Sequence, residues 1–178
     1  AWLRAEPAQA LARVQEALAA KGLGLIVYDA YRPLRGTLAM VAWAERTGQS
    51  KLVTGGYIAR RSGHNHGHTI DLGLVDLATG EPLDMGTDFD TLSASSHTLS
   101  AKGPALENRL TLKRAMEKQG FRNYSREWWH FSFRMAGTRQ RDVPYGSFEP
   151  DEGKWSPPAG WEKPGFQMPL TWEFPSVP

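Results

Sequence analysis

The 178-residue chain contains no cysteine. That absence removes disulfide staples, thiolate nucleophiles and cysteine-bound zinc together, so any metal must be held by histidine and carboxylate. A dominant charge is also missing. Lys and Arg number 21 against 19 Asp and Glu, a net charge of +2 with no basic stripe for nucleic acid. No apolar run approaches the ~18 residues of a membrane-spanning helix. The opening AWLRAEPAQALARVQ lacks a basic segment followed by an apolar one, so no signal peptide is legible there. Proline is sparse until residue 144 and then dense. Eight of the twelve prolines fall in 144–178, together with three of the seven tryptophans. This shift predicts a domain over 1–143 and an extended Pro/Trp-rich arm over 144–178 packed on its surface.

The remaining pattern suits one domain with a core of its own. Pro7 in a first turn, followed by Leu11, Val14 and Leu18, predicts a helix ending near Lys21 and Gly22. LGLIVYD (Leu23 to Asp29) reads as a buried strand. Pro33 opens a second helix to about Arg46, stopped by Gly48. In Thr69 to Asp76, Ile70, Leu72 and Leu74 alternate with Asp71 and Gly73, as in a half-buried strand. ATGEPLDMG reads as a turn between strands, Pro104 to Gln119 as a third helix, and EWWHFSF (Glu127 to Phe133) as an aromatic strand. This order of elements predicts a mixed α+β layer domain.

Three of the five histidines lie in RSGHNHGHTID, at His64, His66 and His68. Alternating histidines suit a metal tract, a polar strand face, or a loop in which only one matters. His64 and Asp71 are seven apart, with Gly67 between them to let the chain turn back. Zinc without cysteine takes three ligands from His, Asp and Glu and leaves one position open. EWWH adds Glu127 and His130, a carboxylate beside a further ligand, which is the base a metallohydrolase needs. Arg32 in YDAYRP follows a predicted buried strand, where a cation could stabilise an oxyanion. Glu127 and His130 would point to opposite faces of an unbroken strand. If both serve one metal, the chain must bend at Glu127.

YDAYRP, SGHNHGHTID, MGTDFD and SREWWHFSF, in this order and spacing, resemble the VanX-type D-alanyl-D-alanine dipeptidases over about residues 8–134. The combination of S-x-H-x-x-G-x-x-x-D with E-x-W-H and Y-R-P carries the resemblance. It implies the fold shared by DD-carboxypeptidases and hedgehog domains: a single α+β domain with a central, mainly antiparallel sheet packed by helices and a zinc site in its cleft. It implies one Zn²⁺ per chain on His64, Asp71 and His130, Glu127 as catalytic base, and Arg32 on the oxyanion. Ser62 and Asp90 are implied to bind the substrate ammonium, with Asp88 a competitor for that role. His66 and His68 are expected to stay off the metal, and His97 to sit in a loop near the cleft rim. The family segment that precedes the first helix is largely missing here, and the C-terminal arm is longer than usual.

The implied activity is hydrolysis of D-Ala-D-Ala or a related small D,D-dipeptide by a zinc-activated water with Glu127 as base. One alternative is a D,D- or L,D-carboxypeptidase or endopeptidase on peptidoglycan stem peptides, which would need no counter-charge for a free amine. A non-catalytic zinc-binding module is the other. The shortened N-terminus suits removal of a leader, directing the expectation to the cell envelope, with the cytoplasm as the alternative. Oligomeric state is not legible.

Overall fold

Four strands form one antiparallel sheet in the order β1-β2-β4-β3, where β1 is Leu23–Asp29, β2 Thr69–Asp76, β3 Phe121–Asn123 and β4 His130–Phe133. The computed structural model describes residues 1–145, so beyond its first two residues the expected arm lies outside the described residues. Helices α1 (Ala5–Ala19), α2 (Leu34–Arg46), α3 (Ser50–Thr54) and α4 (Gly103–Lys118) complete the architecture.

In α1, Pro7, Ala10, Val14 and Leu18 are buried. Their spacing of three and four makes one apolar stripe. Leu11, also expected in that stripe, is only partly buried at its margin. The stripe packs with Leu112 and Met116 of α4 against Ile70, Leu72 and Leu74 of β2, and Phe121, Trp128, Trp129 and Phe131 close the same core. A smaller cluster of Val41, Ala44 and Ile58 gathers Leu52 and Val53 beside α2 and α3.

Three expectations are corrected. The strand at Thr69 is not half-buried: every residue from Thr69 to Leu74 is buried. β2 pairs on both edges, and the loop ahead of it folds back over the face opposite the apolar core. The aromatic strand begins at His130 rather than Glu127, because a turn intervenes. ATGEPLDMG does turn, but its own Pro82 makes only an isolated bridge back to Val75, and no second strand follows directly to make a hairpin with β2.

Register positions the site. Asp71 pairs with Asp29 on one side and with His130 on the other. Cross-strand partners share a face of the sheet, so these three side chains form one row. An irregularity between Val27 and Asp29 brings Asp29 into it.

Candidate metal centre and its cleft

His64 reaches the row from a short 3-10 helix, Gly63–His66. Ser62 caps it: its Oγ accepts from the His64 amide at 3.2 Å, and the Asn65 side chain returns to the Ser62 amide. Gly67 closes the turn with φ of 71°, a left-handed conformation that glycine adopts without penalty. Gly63 is required by close approach, since a Cβ there would collide with Thr69 Oγ1. Asn65 is fully buried and donates to the Arg32 carbonyl at 2.8 Å and to Thr37 Oγ1 at 2.9 Å. The turn that carries His64 is thereby tied to the strand exit that carries Arg32.

The His64 Nδ1 proton is directed to the Ala30 carbonyl at 2.6 Å, which leaves the Nε2 lone pair facing the row. Nε2 lies 3.3 Å from Asp71 Oδ2 and 3.4 Å from His130 Nδ1, and His130 Nδ1 lies 3.0 Å from Asp71 Oδ1. One ligand atom from each of the three residues falls within 4.8 Å of the others. A tetrahedral centre with arms of about 2.0–2.1 Å has ligand–ligand edges of about 3.3–3.4 Å, which the separations from His64 Nε2 to Asp71 Oδ2 and to His130 Nδ1 match; His130 meets the other Asp71 oxygen more closely. Asp71 Oδ1 is buried and accepts no hydrogen bond among the described residues, although His130 Nδ1 is at contact distance. A buried carboxylate oxygen left in that state is costly unless a cation completes it.

The surrounding charges agree. Burial opposes ionisation of Asp71, but His64 and His130 outweigh it and hold its carboxyl well below the usual range. Burial likewise opposes protonation of His64, but Asp71 and Asp29 raise its pKa above the ordinary 6.5. Both shifts describe a site built around positive charge on an ionised aspartate.

Glu127 belongs to a turn in which its amide donates to the Tyr124 carbonyl at 2.9 Å and its own carbonyl accepts from the His130 amide at 3.3 Å. That bend is the one required if both residues are to face the same point. Glu127 Oε2 lies 3.5 Å from His130 Nδ1. Burial pushes the Glu127 carboxyl up to about 7, with His130 opposing. Asp90 is the one non-glycine residue with positive φ among those described, at 59°. Burial and the charge of Asp71 push its carboxyl up to about 6.

A cleft of about 340 Å³ brings together Arg32, Ser62, His64, Asp71, Asp90, Glu127 and His130, with Tyr57, Met40 and Trp129 among its walls. Three of the expectations concern residues kept off the metal cluster. His66 Nδ1 contacts Thr138 Oγ1 at 3.0 Å, and His68 stacks obliquely near His66, 5.3 Å between ring centroids. His97 sits in a loop and pairs its Nε2 with the Tyr57 hydroxyl at 3.0 Å, at the cleft wall. Asp88 does not line the cleft, and its charge acts on Tyr28 instead.

Sequence reasoning missed two residues. Asp29 holds Arg32 from below, with Oδ2 accepting from Nε at 2.8 Å and from Nη2 at 2.5 Å. Burial works against the Arg32 charge, and Asp29 more than restores it. An acid three residues before an arginine at a strand end was a usable signal in YDAYRP. The other is Asn65, whose role depends on a fold-back that no spacing reveals.

A family profile described as D-ala-D-ala dipeptidase matches residues 2–147. The chain is 38% identical over 140 residues to the D-alanyl-D-alanine dipeptidase of Enterococcus faecalis, covering 70% of this chain and 69% of that protein. It is 35% identical over 140 residues to the protein of the same description from Streptomyces coelicolor, with 70% and 69% covered. Among solved structures, the vancomycin-resistance D,D-dipeptidase VanXYg, in complex with a D-Ala-D-Ala phosphinate analog, shares the fold. The TM-score is 0.50 at 22% identity, over 74% of this chain and 50% of that one.

Proposed function

This chain belongs to the D-alanyl-D-alanine dipeptidase family, and we propose that it is a zinc peptidase that hydrolyses D-Ala-D-Ala or closely related D,D-dipeptides. The observation that carries the reading is convergence in one cleft. Three metal-competent donors with an unsatisfied buried carboxylate oxygen share it with a raised-pKa glutamate and a buttressed arginine. His64, Asp71 and His130 would hold the ion. Zinc there supplies Lewis acidity, acidifying water and polarising a carbonyl.

The chain's own residues do the rest. Glu127, poised near neutrality, takes the proton from the attacking water and returns it to the leaving amine. Arg32 turns its guanidinium into the cleft from a fixed base on Asp29 and stabilises charge that develops on the scissile carbonyl oxygen. Asp90 and the free lone pair of the Ser62 hydroxyl meet the substrate ammonium. The acid at that place favours a substrate with a free amine over a peptidoglycan stem peptide. Glu127 and Arg32 have no purpose in a non-catalytic zinc module. The test is zinc-dependent release of D-alanine, with D-Ala-D-Ala, L-Ala-L-Ala and N-acetyl-D-Ala-D-Ala compared at steady state. D-Ala-D-Ala is expected to be strongly preferred. Equal turnover of the N-acetylated peptide would instead support the carboxypeptidase reading.

A further inference from the structure

Arg109 of α4 is 0% exposed, more deeply buried than any residue of the metal cluster, and no carboxylate lies within ion-pair distance of it among the described residues. Burial opposes its charge, the carboxylate of Asp84 supports it only from beyond contact distance, and Nη2 has no partner among the described residues, so the hydrogen bonds of Nε and Nη1 carry most of the compensation. Nε donates to the Met85 carbonyl at 2.6 Å, and Nη1 donates to the carbonyls of Ser95 at 3.1 Å and His97 at 2.8 Å. These acceptors are the two roots of one loop, and Asp90 lies between them with its left-handed backbone. The guanidinium also lies 5.9 Å from the Trp128 ring centroid. Trp128 binds the same loop from the other side. Its indole donates to Thr87 Oγ1 at 2.8 Å, and its amide donates to the Ser96 carbonyl at 3.1 Å. Trp128 directly follows Glu127.

We propose that Arg109 is a positioning residue for amine recognition: by clasping both roots of the 85–97 loop it holds Asp90 at a set distance from the metal cluster. This rests on the reading of Asp90 as the ammonium acceptor. A guanidinium suits the task because its planar fork presents donors to both roots at once, which a lysine ammonium on a flexible stem does not reproduce. Without the clasp the Ser96 root keeps its bond to the Trp128 amide beside Glu127, while the Met85 root loses its guanidinium donor, so Asp90 drifts more than the metal ligands or Glu127. The signature is therefore loss of free-dipeptide binding with the chemistry retained.

The experiment uses zinc-loaded full-length enzyme carrying Arg109→Lys, with Arg109→Gln as a neutral second variant, alongside Asp90→Asn and the double variant Asp90→Asn/Arg109→Lys. Arg109→Lys is expected to raise KM for D-Ala-D-Ala by about tenfold while kcat changes less than about threefold. Zinc stoichiometry and kcat/KM for N-acetyl-D-Ala-D-Ala should stay near wild type. The double variant should be no worse than Asp90→Asn alone, since the clasp acts only through that carboxylate. Equal losses on both substrates, or multiplying losses in the double variant, would make Arg109 a general structural prop. A substrate split in Asp90→Asn that is absent from both Arg109 variants overturns the role of Arg109 alone. No split in Asp90→Asn overturns the Asp90 reading, and this proposal with it.

Discussion

Glu127 Oε2 and His130 Nδ1 stand 3.5 Å apart, although residues three apart on an unbroken strand point to opposite faces. The turn before β4 makes the approach possible and separates base from ligand by function. Glu127→Gln keeps the shape and removes the base. Zinc should therefore remain bound at one per chain while kcat falls by roughly 10²–10⁴-fold, the usual contribution of a positioned base. Metal analysis beside turnover checks this, and near wild-type kcat would sink the mechanism.

Metal loss should follow the row and not the histidine count. His64→Ala, Asp71→Ala and His130→Ala should each strip zinc. His66→Ala and His68→Ala should not, because those rings are engaged with Thr138 and with each other. If His66→Ala lowered zinc stoichiometry as much as His64→Ala, the ligand assignment would be wrong.

Arg32 should matter for rate and not for metal. Arg32→Ala is expected to lower kcat by roughly 10²–10³-fold with zinc content unchanged. Asp29→Asn should give a smaller loss in the same direction, since Arg32 keeps its charge but loses its ionised buttress. Kinetics of both variants on D-Ala-D-Ala decide the point, and an Asp29 variant worse than Arg32→Ala would assign Asp29 a separate role.

Zinc affinity should be pH-dependent with a definite sign. Burial opposes protonation of His64, yet Asp71 and Asp29 raise its pKa above 6.5, so a proton competes for the metal-facing nitrogen. Below that raised pKa the apparent Kd should climb by about tenfold per pH unit, one proton being displaced per ion. Asp71, held ionised far below its usual range, adds no competition there. Chelator-buffered titrations between pH 5.5 and 8 (roughly one decade per unit at the acid end) read the slope directly. In chelator-stripped protein the His64 contribution to stability runs the other way, being full below pH 6.5 and lost as pH rises through the folded pKa. A flat zinc affinity across that range would show that His64 binds no proton the metal must displace.

Gly63→Ala should damage fold and site together. Its Cβ would overlap Thr69 Oγ1, forcing the His64 turn away from β2. Overpacking of this kind costs about 1–3 kcal/mol. Thermal unfolding should report it, accompanied by weaker zinc binding. Unchanged zinc affinity at reduced Tm would mean that the turn can shift without moving His64.

Much of this protein was legible before any coordinates. Helical periodicity placed Val14 and Leu18 on the buried face of α1, and Pro33 and Gly48 bracketed α2, because those patterns are local. His64, Asp71, Glu127 and His130 stood out as candidates because cysteine is absent and ligand chemistry restricts the residue types, and the resemblance to VanX-type dipeptidases joined them into one site. Tertiary structure decided how His64 reaches the row, since alternation along a chain says nothing of a 3-10 turn capped by Ser62 and closed at Gly67. It also decided the start of β4, the burial of β2 on both faces, and the parts played by Asp29, Asn65 and Arg109. Each of these depends on strand register or on a fold-back between residues distant in sequence. Periodicity records which side a residue shows its own element; what meets it on that side is set by the packing of the whole chain.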